Sequence, residues 1–182
     1  NKMDLKFKSK LEHALELANE GFFIFPCSPN EKKSAIKGWK EVATRNHEQI
    51  TKWFAGKNFN IGIYTGKYGD EVDGKYQSLI VVDIDNKNGK SGTDAIKSLG
   101  LQSMFLNETY NQVTPNDGFH YFYRNDFPVK SNGIGDGIDI KSGPSIVLGR
   151  GSVYSGKEYK GTPAPVAQAS DWLLKMCAQR TD

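Results

Sequence analysis

The feature that most constrains this chain is an apolar run, residues 79–82, that ends in two aspartates separated by one isoleucine. The run is rich in β-branched residues and leads into the polar segment 86–89, a pattern that predicts a buried strand opening into a loop. Because side chains alternate between the two faces of a strand, Asp83 and Asp85 share one face and Ile84 points to the other. The sequence therefore predicts two carboxylates at a strand end, about 7 Å apart at their Cα atoms.

Paired carboxylates on one face suit a divalent cation. Magnesium and manganese prefer oxygen ligands, and neighbouring carboxylates repel each other unless a cation lies between them. Asp and Asn also favour turns on their own account, so a plain surface turn at residues 85–86 is the alternative. The choice depends on which other side chains the fold brings to this face.

A second predicted strand carries a histidine. In residues 116–124, His120, Phe122 and Arg124 alternate with aromatic residues and therefore share a face. Histidine can donate a hydrogen bond to a phosphate oxygen, whereas magnesium prefers oxygen to imidazole. We therefore assign His120 to an anionic ligand such as a triphosphate, with a buried core histidine as the alternative.

A third alternating run, residues 137–141, adds one more carboxylate. Asp139 and Lys141 lie on one face of this predicted strand, with Ile138 and Ile140 on the other. We expect Asp139 to converge on the aspartate pair at residues 83 and 85. Lys141 would then screen the charge of a bound phosphate.

The segment 145–152 is predicted to be a strand that ends in Gly149-Arg150-Gly151-Ser152. Glycines on both sides of an arginine allow an anion to approach the backbone closely. The segment lacks the lysine and spacing of a P-loop. Arg150 and Ser152 are candidates for the same triphosphate, and a simple turn between strands is the alternative.

Length and composition permit one large domain or two small lobes, since 182 residues can bury a substantial core. A formal net charge of +3 permits a nucleic-acid partner without requiring one. Cys27 and Cys177 lie far apart and suit free thiols in a reducing compartment. No apolar stretch approaches the roughly 20 residues of a membrane span, and no signal peptide is recognisable. We expect a cytoplasmic protein that makes no membrane contact.

The order of predicted elements favours an α+β fold. Helices are predicted at residues 5–19, 47–54, 93–99 and 166–178, and strands at 21–26, 60–65 and 79–85. From residue 109 to 148 the pattern changes to short strands. We expect an α/β first half packed on a strand-rich second half, with the functional site in the crevice between them.

Three motifs, taken in order, resemble those of the archaeo-eukaryotic primase superfamily: Asp83-Ile84-Asp85, Gly118-Phe119-His120 and Ile138-Asp139. The sequence is most similar to the bifunctional primase-polymerase, or prim-pol, domain of plasmid and phage replication proteins. The resemblance covers nearly the whole chain and includes residues 21–26, 33–39, 60–66, 137–142 and 149–153. Each motif is weak alone, but their order and spacing together are specific.

The resemblance implies a two-lobed primase-polymerase catalytic fold over residues 1–182, with an RRM-like strand-rich half, as part of a longer replication protein. It implies that Asp83, Asp85 and Asp139 are catalytic and bind two Mg²⁺ or Mn²⁺ ions. His120 would contact the phosphates of the incoming nucleotide, and Lys141, Arg150 and Ser152 are further nucleotide-binding candidates. The implied partners are a DNA template and primer and nucleoside triphosphates. Whether a helicase domain belongs to the intact protein stays open.

The chain departs from the family pattern at one position. The middle motif of the family usually has a small hydroxyl residue two places before its histidine, and this chain has Gly118 there. The exchange removes one possible hydrogen bond to a phosphate. Thr114 or a backbone amide is the expected replacement, so Thr114 joins the nucleotide-binding candidates.

The expected activity is DNA-templated nucleotidyl transfer, with primer extension more efficient than primer initiation. Two other functions stay open. A metal-dependent nuclease would use the same ions with water as the nucleophile, but it needs the phosphate-binding residues less. A catalytically silent module would bind single-stranded nucleic acid through aromatic residues exposed on its sheet, for which Tyr121 and Tyr123 are candidates.

Overall fold

The structure, a computed structural model, describes residues 7–86, 89, 91–98, 109–131, 133–135 and 137–178. Its helices are α1 (Lys10–Asn19), α2 (Trp39–Val42), α3 (His47–Phe54), α4 (Gly92–Ser98) and α5 (Asp171–Ala178). Its strands are β1 (Phe22–Cys27), β2 (Asn60–Val72), β3 (Lys75–Ile84), β4 (Asn111–Val113), β5 (Phe119–Asn125), β6 (Gly133–Gly135), β7 (Ile138–Ser142), β8 (Ile146–Leu148), β9 (Val153–Tyr154), β10 (Lys157–Glu158), β11 (Lys160–Gly161) and β12 (Ala167–Gln168). Mixed helices and a mainly antiparallel sheet confirm the predicted α+β class.

The long hairpin β2–β3 connects the two parts of one continuous sheet. The first part of β2 pairs with β1 and β8, whereas β3 is flanked by β5 and β7. Beyond β5 the sheet continues through β4 and β11, and β12 runs parallel to β5. Strand β8 follows β7 in sequence but pairs with β2, so the two parts are interleaved along the chain rather than divided at its middle.

The ends of two helices differ from their predicted positions. The described part of α1 begins at Lys10, because Ser9 and Glu12 exchange backbone and side-chain hydrogen bonds in a capping box. The C-terminal helix was predicted from residue 166, but α5 starts at Asp171. Residues 167–168 instead pair with β5 as a short strand, and the Ser170 hydroxyl accepts a hydrogen bond from the Leu173 N–H. Residues 5 and 6 of the first predicted helix lie outside the described residues.

Strand β3 is buried on both faces. Leu79 and Val81 pack in a core with side chains of α1 and α3, whereas Ile80 and Val82 pack in a second core with α5. A strand covered on both sides needs apolar residues at consecutive positions, which explains the unbroken apolar run. The same packing carries Asp83 to the end of the strand on the face of Leu79 and Val81.

Helix α5 covers the sheet face that a silent nucleic-acid-binding module would need. Tyr121 and Tyr123 are each only 4% exposed, and they pack in the core that contains Leu173 and Cys177 of α5. The expectation that these two tyrosines offer stacking surfaces is therefore wrong, because the C-terminal helix occupies that face.

Cys27 and Cys177 are both free and buried. Burial raises the pKa of the Cys27 thiol to about 12 and that of Cys177 to about 11, so both stay protonated at neutral pH. Within the described part of the chain, no helix combines the length and the apolar character needed to cross a bilayer.

The role of α5 can be tested by comparing two adjacent leucines. Leu173 is fully buried against the sheet, whereas Leu174 is partly exposed. We expect Leu173→Ala to lower the free energy of unfolding by about 3 kcal/mol and Leu174→Ala by about 1 kcal/mol, because only the first leaves a cavity in the core. Urea denaturation of both variants measures the difference, and equal losses would show that α5 does not pack as described.

Candidate active site

Three predicted site residues lie in one row across neighbouring strands. Asp83 near the end of β3 is paired in register with His120 of β5 on one side and with Asp139 of β7 on the other. Residues opposite each other in antiparallel strands have Cα atoms about 4.5–5.5 Å apart and point to the same face. The sheet thus brings Asp83, His120 and Asp139 together as the alternating patterns predicted.

The His120 ring is fixed by its neighbours. Its Nε2 lies 3.5 Å from Asp83 Oδ1, and the side chain is 7% exposed. The ring packs edge-on against Phe122 and lies 5.9 Å, centroid to centroid, from Tyr159. Its Nδ1 is buried and has no hydrogen-bond partner among the described residues. Nε2 is therefore the nitrogen that faces the carboxylate.

The backbone of Asp85 is held between two glycines. Its N–H donates to the Gly137 carbonyl at 2.7 Å, and its carbonyl accepts from the Gly92 N–H at 3.0 Å. Gly137 has a φ of +77°, and a Cβ added there would lie 2.6 Å from the Asp85 oxygen and 2.7 Å from the Gly92 nitrogen. This clamp requires glycine at residue 137, and it fixes where the second aspartate leaves the strand.

Asn86 connects the strand end to two other elements. Its amide donates to the Thr93 hydroxyl at 2.9 Å and to the Asp117 carbonyl at 3.1 Å, and its oxygen accepts from the Thr93 N–H at 3.1 Å. The loop after β3 is thereby tied to the start of α4 and to the turn before β5. A plain surface turn, the alternative for residues 85–86, would not need these hydrogen bonds to two other elements.

A cleft opens beside this row, and we call it the carboxylate cleft. Part of its lining comes from the ends of β3 and β5 and the turn before β5, namely Asp83, Ile84, Asp85, His120, Thr114, Pro115 and Asn116. The rest comes from the loop after β1 and from the segment around β9 and β10, namely Lys32, Tyr154 and Tyr159. The cleft combines carboxylates, a histidine and a lysine with two tyrosines, which suits a ligand that carries both phosphate groups and metal ions.

Asp83 is held in its ionised form. Burial opposes ionisation, but the hydrogen bond and charge of His120, with the charges of Lys141 and Lys32, outweigh it and lower the pKa of Asp83. A carboxylate that stays charged at neutral pH can act as an anionic metal ligand. The cleft also raises the pKa of Tyr159, through burial first and the Asp83 charge second.

The turn between β4 and β5 explains the departure at Gly118. A Cβ on residue 118 would lie 2.3 Å from the Ile84 carbonyl and 3.0 Å from Thr114 Oγ1. The Gly118 N–H donates to that Thr114 oxygen at 3.0 Å. The backbone is too close to Ile84 for a side chain at residue 118, and the Thr114 hydroxyl lies next to the space it would occupy.

Asp139 and Lys141 lie beside the cleft rather than in its lining. Asp139 is the register partner of Asp83, but its Oδ1 lies 3.1 Å from the position of a Cβ added to Gly133. Lys141 is paired with Val81, which is two residues from Asp83 along β3 and on the same face. Its contribution within the described structure is the charge that helps to lower the pKa of Asp83.

The structure corrects the prediction for Arg150. Its side chain is 3% exposed, and its guanidinium donates to the carboxylate of Glu20, to Glu16 and to the Tyr110 hydroxyl. Both acidic partners belong to the first helix and its C-cap. The donors that a phosphate would need are therefore used to attach α1 to the sheet, and Arg150 does not line the carboxylate cleft.

Ser152 is corrected in the same way. It is fully buried, and its hydroxyl accepts a hydrogen bond from the Ile61 N–H at 2.9 Å. It joins the β8–β9 turn to the start of β2 and does not reach the cleft. The turn between strands, which was the alternative for this segment, is what the structure contains.

The cleft contains oxygen ligands suited to divalent ions, but these ligands are not assembled around one position. Asp83 and Asp85 present carboxylates to the cleft, and Asp139 stands opposite Asp83, so the oxygen chemistry and backbone placement fit Mg²⁺ or Mn²⁺. Among the described residues, no group of three or more His, Cys, Asp or Glu side chains is close enough to hold a metal ion.

Sequence reasoning missed several residues that build this site. Lys32, Tyr154 and Tyr159 come from a loop and a short hairpin without a periodic pattern that could assign them to a face. Gly92 and Gly137 contribute because their backbones lie very close to Asp85. A glycine required by such a contact cannot be recognised from sequence unless the contacting segment is already known. The lysine cluster near residue 32 was visible in the sequence but is equally typical of a solvated surface.

The clamp on Asp85 predicts a difference between two glycines of similar backbone conformation. Gly137 and Gly56 have φ values of +77° and +67°, but only the former has atoms within 4 Å of an added Cβ. Both alanine variants carry the cost of a left-handed residue, about 1 kcal/mol, and Gly137→Ala adds a clash of about 1–3 kcal/mol. Urea denaturation should show the larger loss for Gly137→Ala, and equal losses would contradict the clamp.

The structural role of Arg150 predicts a stability effect. Arg150→Met leaves the partly buried Glu20 carboxylate without its partner, and we expect a loss of about 3 kcal/mol in the free energy of unfolding. Arg45→Met removes an arginine that pairs with the exposed Asp70 and donates from Nε to the Ala18 carbonyl, and it should lose only about 1 kcal/mol because the carboxylate left behind is exposed. Nucleotide affinity, measured by fluorescence titration of folded protein, should match wild type in both variants. Weaker nucleotide binding by a fully folded Arg150→Met variant would show that Arg150 contributes to the nucleotide site after all.

Comparison with protein families assigns the chain. The family described as bifunctional DNA primase/polymerase, N-terminal, matches residues 14–172, which include every residue of the carboxylate cleft. Comparison with curated proteins gives no match. The matched region covers most of the 182 residues. This chain therefore belongs to the bifunctional DNA primase/polymerase N-terminal family.

Proposed function

We propose that the carboxylate cleft catalyses DNA-templated nucleotidyl transfer. A primer 3′-hydroxyl would attack the α-phosphorus of a nucleoside triphosphate, forming the new phosphodiester bond as the bond to pyrophosphate breaks. The observation that carries this proposal is the cleft itself, whose lining combines ionised Asp83 with Asp85, His120 and Lys32. Family membership supports primase and polymerase activity in general, and the assignment to these residues is ours.

Asp83, Asp85 and Asp139 are the proposed ligands of divalent ions. Bound ions would supply positive charge for the triphosphate and favour ionisation of the attacking hydroxyl. The protein contributes carboxylates in fixed places. Asp83 is oriented by His120, and the backbone of Asp85 is held by Gly92 and Gly137. Fixed charges that need no rearrangement during the reaction are the main way in which a protein lowers the barrier to phosphoryl transfer.

His120 and Thr114 are the proposed contacts to the triphosphate. The Nδ1 atom of His120 is buried, and its Nε2 atom lies next to Asp83 at the cleft, so a phosphate oxygen would share the Nε2 donor with that carboxylate. The Thr114 hydroxyl accepts from the Gly118 N–H and keeps its own proton for donation. Thr114 would thus supply the hydrogen bond that the family usually obtains from the residue at position 118. Lys141 would act at longer range through its charge.

DNA and nucleotides are the substrates that the family implies, and we extend this to a primed DNA template and a nucleoside triphosphate. Starting a primer without a preformed 3′ end is part of the same proposal. During initiation, a second nucleotide would take the position of the primer end. Its 3′-hydroxyl would react in the same way, so initiation would need the same carboxylates.

Primer extension tests the proposal. A labelled primer on a DNA template is incubated with the four deoxynucleoside triphosphates and Mg²⁺ or Mn²⁺, using wild type and an Asp83→Asn, Asp85→Asn double variant. We expect extension by wild type and a loss of at least about 1,000-fold in the double variant, since the ions lose their ligands. Asp117→Asn is the matched control, because this exposed aspartate lies next to the cleft without lining it and asparagine tolerates its φ of +61°.

Each outcome decides between functions. Extension that survives in the double variant would refute the assignment of the carboxylates. Shortening of the primer by wild type would favour a metal-dependent nuclease in the same cleft. Binding of DNA without any product would overturn the proposed catalysis. Circular dichroism of each variant checks that the fold is retained.

A further inference from the structure

We propose that Lys32 binds the triphosphate in the carboxylate cleft, a role that rests on the proposed function of this cleft. Lys32 lies in the loop between β1 and α2, and it lines the same cleft as Asp83 and His120. Among the described lining residues it is the only lysine or arginine, and a lysine side chain is ordinarily protonated at neutral pH. The triphosphate would therefore contact a lysine as well as the ions held by the carboxylates.

Tyr154 orients the lysine. The Lys32 Nζ lies 5.0 Å from the centroid of the Tyr154 ring, within the range of a cation–π interaction. Tyr154 is fixed in turn, because its strand β9 pairs with β10 and its side chain packs against the core that contains Phe25 and Leu148. This contact with the Tyr154 ring places the ammonium group at the cleft, and an ammonium group has three N–H donors.

The loop that carries Lys32 is anchored by its backbone. The Ser28 N–H donates to the Lys33 carbonyl at 2.8 Å, and the Glu31 carbonyl accepts from the Asn60 amide at 3.0 Å. The Asn30 side chain accepts from the Gly156 N–H at 3.3 Å, which connects this loop to the turn between β9 and β10. Hydrogen bonds therefore connect the loop that carries Lys32 to β2 and to the hairpin of β9 and β10, which carries Tyr154.

Electrostatics supports the same placement. Lys32 and the carboxylates of Asp83 and Asp85 belong to the lining of one cleft. A triphosphate carries several negative charges, and placing it beside aspartates requires cations close to it. Arg150 cannot supply that charge, because its guanidinium is buried against Glu16 and Glu20. Lys32 takes the place that the sequence pattern had suggested for Arg150.

The test uses adjacent lysines as variant and control. Lys32→Met keeps the length of the side chain and removes its charge, and Lys32→Arg keeps the charge. Lys33→Met is the matched control, since Lys33 is also exposed, follows directly in the same loop and does not line the cleft. All variants are made in the full chain, and their folding is checked by thermal denaturation.

The first readout is equilibrium binding of a non-hydrolysable deoxynucleoside triphosphate with Mg²⁺, measured by isothermal titration calorimetry. We expect Lys32→Met to weaken binding about 10- to 100-fold, the usual effect of removing one charge-assisted hydrogen bond. Lys33→Met should bind like wild type, and Lys32→Arg should retain most of the affinity. Binding of the corresponding deoxynucleoside, which has no phosphates, should be equally weak in all four proteins.

The second readout is steady-state primer extension, in which Lys32→Met should raise KM for the nucleotide more than it lowers kcat. Equal triphosphate affinity of Lys32→Met and Lys33→Met would overturn the assignment of Lys32. Extension by wild type in that case would leave the proposed function of the cleft standing. Conversely, Lys32-dependent binding in a wild-type protein that extends no primer would support Lys32 as a triphosphate ligand and overturn the polymerase assignment.

Discussion

The architecture depends on one constraint: a strand buried on both faces must end in a carboxylate that stays ionised. The apolar residues of β3 pack against α1 and α3 on one side and α5 on the other, and Asp83 follows them into a mostly buried position. Burial alone would favour the protonated acid. His120 in the neighbouring strand offsets this cost, with Lys32 and Lys141 adding positive charge. The surroundings of Asp83 thus follow from the need to stabilise its charge.

The fold arranges the other parts of the site around that residue. Two glycines hold the backbone of Asp85, and Asn86 ties the loop that follows to α4 and to the turn before β5. On the far side, β8 returns from the second half of the chain to pair with β2, and β9 and β10 follow it directly. This return places Tyr154 and Tyr159 in the lining of the cleft that also contains Asp83 and Asp85. The interleaved order of strands therefore brings segments from both halves of the chain into the lining of the cleft.

The sequence allowed prediction wherever a regular strand determines the direction of side chains. Alternation along 79–85, 116–124 and 137–141 predicted a shared face for Asp83, His120 and Asp139, and the register aligns all three. Alternation does not say what covers a face, and Tyr121 and Tyr123, the candidate stacking residues of the silent-module alternative, lie beneath α5. The family resemblance added the order of the motifs and led to the same residues.

Prediction failed where the function of a side chain depends on a distant segment. Arg150 between two glycines has the pattern of an anion site, but Glu16 and Glu20 of the first helix region occupy its donors. The sequence around residue 150 does not indicate that Arg150 pairs with Glu16 and Glu20, which lie far away along the chain. Lys32 is the opposite case, since a surface lysine in an irregular loop has no pattern that separates it from its neighbours. Its position became apparent only from the hairpin that carries Tyr154.

The most direct test of this account is a crystal structure of the chain with Mn²⁺ and a non-hydrolysable deoxynucleoside triphosphate, using anomalous scattering to locate the metal. The account predicts manganese bound by Asp83 and Asp85, with the triphosphate in the carboxylate cleft between His120 and Lys32. Manganese at another group of residues, or a nucleotide bound on another surface while the cleft holds neither, would contradict it.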